Sequence, residues 1–323
     1  MIHENVHKQV IPMKRQLMKG SFILIALLLF LLIAASKGPT NCTYTLDKEI
    51  ASAQKEIVGK LSGNEPILNS TTIQSRYTEA DKKMVRTYLK RLFSEASLPL
   101  EEHSYSIPNN NPKRSPKKVF NGINLYVTLP ATSKTDEYIL LGAHFDSVKD
   151  CPGANDNATG VALVYGVAKE LSVLKNRNKN ILIAFFDEEE DGLIGSTAFA
   201  EMLKDKNYNI HSVHTVDQMG WDTDGDLAIE LELPTQFLKE TYTTIAKEHA
   251  IPVHVTDVYS TDHQAFRREG YNAIGITEEY INKDTTPHYH KKSDTYDTIN
   301  FEYLLSSTHL LFCVVKALVA NGD

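Results

Sequence analysis

Positive charge is in short supply in this chain. Lysine and arginine number 34 against 41 aspartates and glutamates, a formal net charge of −7 over 323 residues. That balance argues against a basic footprint and so against nucleic-acid binding by bulk charge. Cysteine is scarcer still, at three, with no Cys-x-x-Cys pair, which excludes a disulfide-scaffolded mini-protein and a zinc knuckle. No Gly-x-Ser-x-Gly elbow appears, so serine nucleophile chemistry has no support. No repeat is visible, and no Pro/Gly/Ser-rich linker divides residues 46–323. What is present is 42% hydrophobic and 23% charged residues, the make-up of a packed globular enzyme.

One run departs from the average. Residues 22–35 read FILIALLLFLLIAA, fourteen apolar residues without a charge, preceded by Lys14, Arg15 and Lys19. A spanning helix needs about 20 apolar residues and a secretory signal core about 7–15. The length favours a signal peptide over residues 1–37, with an uncleaved membrane anchor as the alternative, and 38–323 as a single domain. The mature chain is then expected outside the cytoplasm, secreted or periplasmic, or held to a membrane by residues 22–35 alone. Asn41, Asn69 and Asn157 begin glycosylation sequons.

The rest of the chain alternates between two periodicities. Residues 78–97 read as a helix with Met84, Tyr88, Leu89 and Leu92 on one stripe, and 158–174, 195–203 and 301–320 as further helices. Residues 124–129, 138–142, 180–186, 211–216 and 226–233 read as strands; 180–186 (NILIAFF) is apolar throughout, the mark of a strand buried on both faces. Strands alternating with helices predict an α/β fold: a mixed, largely parallel central sheet with helices on both faces.

In such sheets ligands bind at the carboxyl ends of the strands. The strand ending at Gly142 runs into His144-Phe145-Asp146-Ser147, and the one ending at Phe186 into Asp187-Glu188-Glu189-Glu190-Asp191-Gly192. Val216 is followed by Asp217-Gln218-Met219-Gly220, Asn155-Asp156-Asn157 precede a helix, and His288-Tyr289-His290 precede Asp294. Taken singly, each has a bland alternative: a strand-end turn, a solvated acidic loop, or a helix cap for Asp156-Asn157. Together, imidazoles and carboxylates converging from five loops suit zinc or another first-row metal.

Read in order, HFDS, PGANDNATG, EEDGLIGS, DQMG and YHKKSDT resemble the co-catalytic di-zinc aminopeptidases, the family of the bacterial leucine aminopeptidases, from about residue 55 to the carboxyl end. The resemblance implies the zinc-dependent exopeptidase fold, two zinc ions, and peptide substrates with a free amino terminus. It makes His144 and Asp217 ligands of one zinc, Glu190 and His290 ligands of the other, and Asp156 the bridge between them. Asp146 becomes the carboxylate that orients His144, and Asp156-Asn157 a cis peptide. The family pattern Glu-Glu-x-Gly-Leu-x-Gly-Ser sets Glu189 as general base and Glu190 as ligand, leaving Glu188 without a chemical role; a slip of one residue is the competing register. Tyr289 matches a tyrosine that hydrogen-bonds the oxyanion, with a packed aromatic as the plain alternative.

Three rivals remain. One is a carboxypeptidase, with Arg267-Arg268 as the pair available to clamp a terminal carboxylate. Another is a glutaminyl cyclase-like enzyme with a single zinc, against which the intact bridging aspartate and glutamate pair count. The last is a non-catalytic binding protein on the same fold, against which the full ligand set counts.

Overall fold

The computed structural model describes Cys42 and residues 48–109 and 117–320. Residues Thr43–Asp323 fall in one compact unit and Met1–Cys42 in another, of which only Cys42 is described. The apolar run 22–35, and with it the expected signal or anchor, lies outside the described residues.

Helices α1 (Lys48–Leu61) and α2 (Glu79–Glu95) come first.

 The second, Glu79–Glu95, is capped by Thr78, whose hydroxyl accepts the Asp81 N–H. Its buried face is Lys82, Val85, Arg86, Tyr88, Leu89 and Phe93. The stripe expected through Met84 and Leu92 is therefore rotated, because Lys82 and Arg86 turn inward to the buried Asp187 (Lys82 Nζ to Oδ1, 2.7 Å). The strands are β1 (Glu101–Pro108), β2 (Val119–Leu129), β3 (Glu137–His144), β4 (Asn180–Phe186), β5 (Asn209–Val216), β6 (Ile229–Glu232), β7 (Val253–Thr256) and β8 (Ala273–Thr277). The remaining helices are α3 (Gly160–Ser172), α4 (Ile194–Asp205), α5 (Gln236–Glu248), α6 (His263–Arg268) and α7 (Phe301–Ala320).

The eight strands form one sheet in the order β1-β2-β4-β3-β5-β8-β6-β7. Strands β4, β3, β5 and β8 run parallel at its centre, and β6 is parallel to β7; β1, β2 and β6 join their neighbours β2, β4 and β8 antiparallel. This is the mixed, largely parallel sheet that the alternation of elements predicts. The central strands are buried on both faces, which is why β4 carries no polar alternation. On one face α3 lies over β3 and β5 with α1 and α7 packed on it. Helix α7 is long and apolar enough to cross a membrane, but most of it is buried in this packing. On the other face α4 and α6 pack together above a cluster that includes Leu140, Leu182, Phe186, Phe199 and Phe266.

Of the boundaries that differ from expectation, two have clear local reasons. The strand expected over 226–233 forms only at Ile229–Glu232, because Asp222 and Asp226 accept the N–H groups of Gly225 and Ala228 and hold the preceding residues in turns. The helix expected from Ala158 starts at Gly160, after a wide turn over Ala154–Thr159 that contains a cis Asp156–Asn157 peptide. Asn157 is fully buried there, its amide donating to Val216 O (2.8 Å), so its sequon is closed to modification. Asn69 is exposed.

Candidate metal centre

Parallel β3, β4 and β5 deliver their carboxyl ends to one edge, so His144, the Glu188–Asp191 turn and Asp217 are neighbours although distant in sequence. The wide turn before α3 brings Asp156 between them, and the segment before Asp294 brings His290. His144 Nε2 lies 3.4 Å from Asp156 Oδ1 and 3.4 Å from Asp217 Oδ1. His290 Nε2 lies 3.2 Å from Asp156 Oδ2 and 2.9 Å from Glu190 Oε2. Two ligand sets therefore meet at one carboxylate, each facing a different oxygen of Asp156: His144-Asp156-Asp217 and Asp156-Glu190-His290. It is Glu190, and not Glu188, that stands beside His290.

Asp146 organises this edge. Its Oδ1 is 3.4 Å from His144 Nδ1, and its two oxygens accept the backbone N–H groups of Glu189 (3.1 Å) and Glu190 (3.2 Å). One carboxylate thus orients an imidazole and fixes the start of the glutamate turn. Glu189 is buried beside this group. Tyr289 is half exposed on the rim, its ring stacked on His290 at 3.8 Å.

The electrostatics show a site holding more negative charge than it can keep without a cation. Burial pushes Asp217 up to about 6, against the opposing pull of His144. Burial and then the neighbouring Asp156 push Glu190 up to about 7. Glu189 is held well above the carboxylate range by burial, which outweighs His144, with Asp262, Glu190 and Asp217 adding to it. His290 moves the other way: burial lowers it, but Asp156 and Glu190 outweigh burial and raise it to about 10. Asp156 itself is held below its usual range, since His144 and His290 overcome its burial. His144 Nε2, Asp217 Oδ1 and Glu190 Oε1 are buried with no hydrogen-bond partner. Orphaned imidazole nitrogen and carboxylate oxygen converging in pairs are the donor set that a first-row metal such as zinc takes, so the residues fit such an ion.

Several supporting groups have no role assigned from the sequence. Asp294, fully buried, accepts the N–H groups of Asn155 (2.8 Å) and Asp156 (3.1 Å) on its two oxygens, tying the His290 segment to the bridging turn. Glu278, also fully buried, accepts from Asn155 Nδ2 (2.8 Å), Trp221 N (3.1 Å) and Thr286 N (3.0 Å), and so joins three of the converging loops. Arg76 is the third, a buried guanidinium among the carbonyls of the β3 loop and the bridging turn. Glu188, without a chemical role in the register read from the sequence, has a structural one: it is buried, accepts from Tyr105 OH (3.2 Å) and pairs with Lys117 (2.9 Å) and Lys82 (3.6 Å). Arg267 donates to the carbonyls of Leu233 and Ala273, which removes it as a clamp for a substrate carboxylate. Cys151 is a buried free thiol that donates to Lys291 O, a packing role.

Comparison with known proteins places this architecture. The profile described as Peptidase family M28 matches residues 124–314. Aminopeptidase YwaD of Bacillus subtilis (strain 168) is 27% identical over 192 residues, covering 58% of this chain and 42% of that protein. The chain spans about half the length of the curated relatives it matches. Among solved structures, a zinc aminopeptidase from Bacillus subtilis superposes with a TM-score of 0.74 at 15% identity, over 86% of this chain and 97% of that one. A Bacteroides thetaiotaomicron glutaminyl cyclase superposes at 0.68 and 16% identity, over 87% and 99%. At these identities the two superpositions speak to the fold.

Proposed function

This chain belongs to peptidase family M28, and from that premise we propose that it is a zinc-dependent aminopeptidase that releases amino-terminal residues from peptides. The observation that carries the reading is Asp156, whose two oxygens face separate ligand sets, one of His144 and Asp217 and one of Glu190 and His290. That arrangement suits two metal ions sharing one bridge. When bound, they supply Lewis-acid polarisation of the scissile carbonyl and a water made acidic enough to ionise near neutral pH.

The chain's own residues do the rest. Glu189, buried beside the ligands, accepts the proton of the attacking water on its carboxylate and passes it to the departing amine. Asp146 keeps His144 in one orientation and holds the backbone of Glu189 and Glu190 in place. The Tyr289 hydroxyl, on the rim beside His290, donates to the developing oxyanion. Asp217 and Glu189 offer negative charge to the substrate's free ammonium, which is what makes an amino terminus the recognised end.

A single-zinc cyclase is the reading to test against, since that fold is shared; two complete sets sharing Asp156, His144-Asp156-Asp217 and Asp156-Glu190-His290, favour two ions. The experiment is hydrolysis of matched peptides with free and blocked amino termini, with metal content measured on the same sample. Release from the free peptides only, with two zinc ions per chain and loss on chelation, is expected. Cyclisation of amino-terminal glutamine at one ion per chain would overturn it. The basic residues and apolar run ahead of residue 37 carry the companion proposal that the enzyme works outside the cytoplasm, secreted, periplasmic or anchored. Fractionation and amino-terminal sequencing of the mature protein test that; full-length protein found only in the cytosol would refute it.

A further inference from the structure

Glu189 and Glu190 stand on a turn whose two ends lie in left-handed backbone. Glu188 has φ 57° and Gly192 has φ 123°, a region that residues with a Cβ seldom enter. The turn closes on Glu189 O, which accepts the N–H groups of Gly192 (2.7 Å) and Leu193 (2.8 Å). Those bonds set the path of the backbone and leave the two carboxylates to be aimed by what surrounds them. Asp146 supplies the hold from the His144 side, through the N–H groups of Glu189 and Glu190. A second hold comes from the first two strands. Lys117, just ahead of β2, donates from one ammonium to Glu188 Oε1 (2.9 Å) and to Asp191 Oδ2 (2.5 Å). Residues 188 and 191 bracket the base and the ligand, so one side chain grips the segment at both ends.

Neighbouring residues make this grip firm. Tyr105 on β1 lies opposite Gly122 on β2, where an added Cβ would sit 2.0 Å from the tyrosine oxygen. The missing side chain lets the Tyr105 ring cross β2 and bring its hydroxyl to Asp187 O (3.1 Å) and Glu188 Oε2 (3.2 Å). Asn124 Oδ1 accepts the Asp187 N–H (2.9 Å), and Lys82 of α2 lies 2.7 Å from Asp187 Oδ1 and 3.6 Å from Glu188 Oε1. Glu188 is thus a fixed anchor, 4% exposed with both oxygens engaged. An isolated surface ion pair contributes little. Lys117 differs because one of its two carboxylates is buried in this network, and because the chain between them carries Glu189 and Glu190. Lys117, Tyr105 and Gly122 all precede residue 124, where the match to the family profile starts, so membership of the family assigns them no part.

Building on the aminopeptidase reading, we propose that Lys117 is a positioning residue of the reaction: it holds the Glu188–Asp191 turn so that the Glu189 carboxylate meets the attacking water and Glu190 meets its metal. A displacement of about 1 Å at a catalytic group can cost about 100-fold in rate. The test compares the zinc-replete full chain with Lys117→Met and Lys117→Arg on leucine p-nitroanilide, and titrates zinc into the metal-free proteins. Lys117→Met is expected to lower kcat about 10–100-fold with KM within about threefold of the parent, and to weaken zinc binding about tenfold. Lys117→Arg is expected to keep kcat within about threefold, because a guanidinium can also span two carboxylates. Asp191→Asn removes one arm of the grip and stands in if Lys117→Met does not fold, with a loss of about tenfold in kcat expected. Parent-like kcat in the folded, zinc-replete Lys117→Met, or in its stand-in, overturns the positioning role and leaves the aminopeptidase standing, whatever happens to stability in urea. A parent that releases no amino-terminal residue overturns the activity, and the positioning role then falls if the variant binds zinc as tightly as the parent.

Discussion

Replacing Arg76 by methionine tests how the candidate ligand loops are held together. The guanidinium is fully buried and its donors go to main-chain carbonyls: Nε to Phe145 (2.7 Å), Nη1 to Leu61 (2.9 Å) and Pro152 (2.5 Å), Nη2 to Gly153 (2.9 Å), Asp156 (3.2 Å) and Asp146 (3.5 Å). Phe145 and Asp146 follow His144 directly, while Gly153 and Asp156 belong to the bridging turn. One side chain therefore sets the separation of the two loops that meet at the site. Methionine fills much of the volume but donates nothing. Each buried carbonyl left without a donor costs about 1 kcal/mol at the low end of the range, because water entering the space recovers part of the loss. Loss of the four closest bonds then costs about 4 kcal/mol, against a total stability of about 5–15 kcal/mol for a domain. Urea unfolding of the metal-free protein measures this directly, and zinc titration measures the second consequence, an affinity lower by about 10–100-fold as the loops lose their spacing. Arg76→Lys retains charge with a single donor centre and should fall between the two. A methionine variant within about 1 kcal/mol of the parent that also binds zinc as the parent does would refute the reasoning.

Three further outcomes are expected. Glu189→Gln should keep its metal while turnover falls about 10²–10⁴-fold, and Glu190→Gln should instead lose metal; peptide hydrolysis with metal analysis separates them, and retained turnover in the first would remove Glu189 as base. Glu188→Gln should destabilise by about 2 kcal/mol through its partners Lys82, Lys117 and Tyr105, a loss visible in urea unfolding; unchanged stability would contradict the buried network. Burial, and then nearby His211, push His214 down to about 3, so the folded state excludes a proton that the unfolded chain binds near pH 6.5. Its contribution is complete above that value and is lost as pH falls toward 3, by up to about 1.4 kcal/mol per unit. The metal-free parent should therefore lose more stability between pH 7.5 and 5 than His214→Gln; equal losses would show that His214 is not the proton acceptor.

The elements that the sequence makes legible are those whose residues have one neighbour type. Strand β4 is apolar on both faces and α7 carries the apolar run Leu310–Val315, and both ends of each match the pattern-based reading. Strand β1, by contrast, is an edge strand reading EEHSYSIP, with half its side chains in water, and it shows no run to detect. Helix α2 is legible as a helix but not in its orientation, because Lys82 and Arg86 bury their charges on Asp187, a residue about a hundred positions away. Periodicity assigns polar residues outward, and only the tertiary partner reverses that.

The candidate site divides on the same principle. Residues that face one another through a shared chemistry must be imidazoles and carboxylates at strand ends, so His144, Asp156, Glu190, Asp217 and His290 stand out even as scattered letters. The groups that hold them apart use generic bonds to backbone, and any residue with the right reach can make those. Arg76 meets carbonyls, Asp294 and Glu278 meet N–H groups, and Asp146 meets both an imidazole and two N–H groups. Of these four only Asp146 lies within two residues of a candidate ligand, and it alone has its role legible in the sequence; Asp294 shares the motif of His290, but its bonds to backbone N–H groups leave no pattern there. The buried carboxylates Glu230 and Glu232 are hidden for a further reason. They sit in a short strand whose alternation reads as solvent-facing acid, and only the pairing of β6 with β8, opposite the missing side chain of Gly275, turns that face inward toward the site.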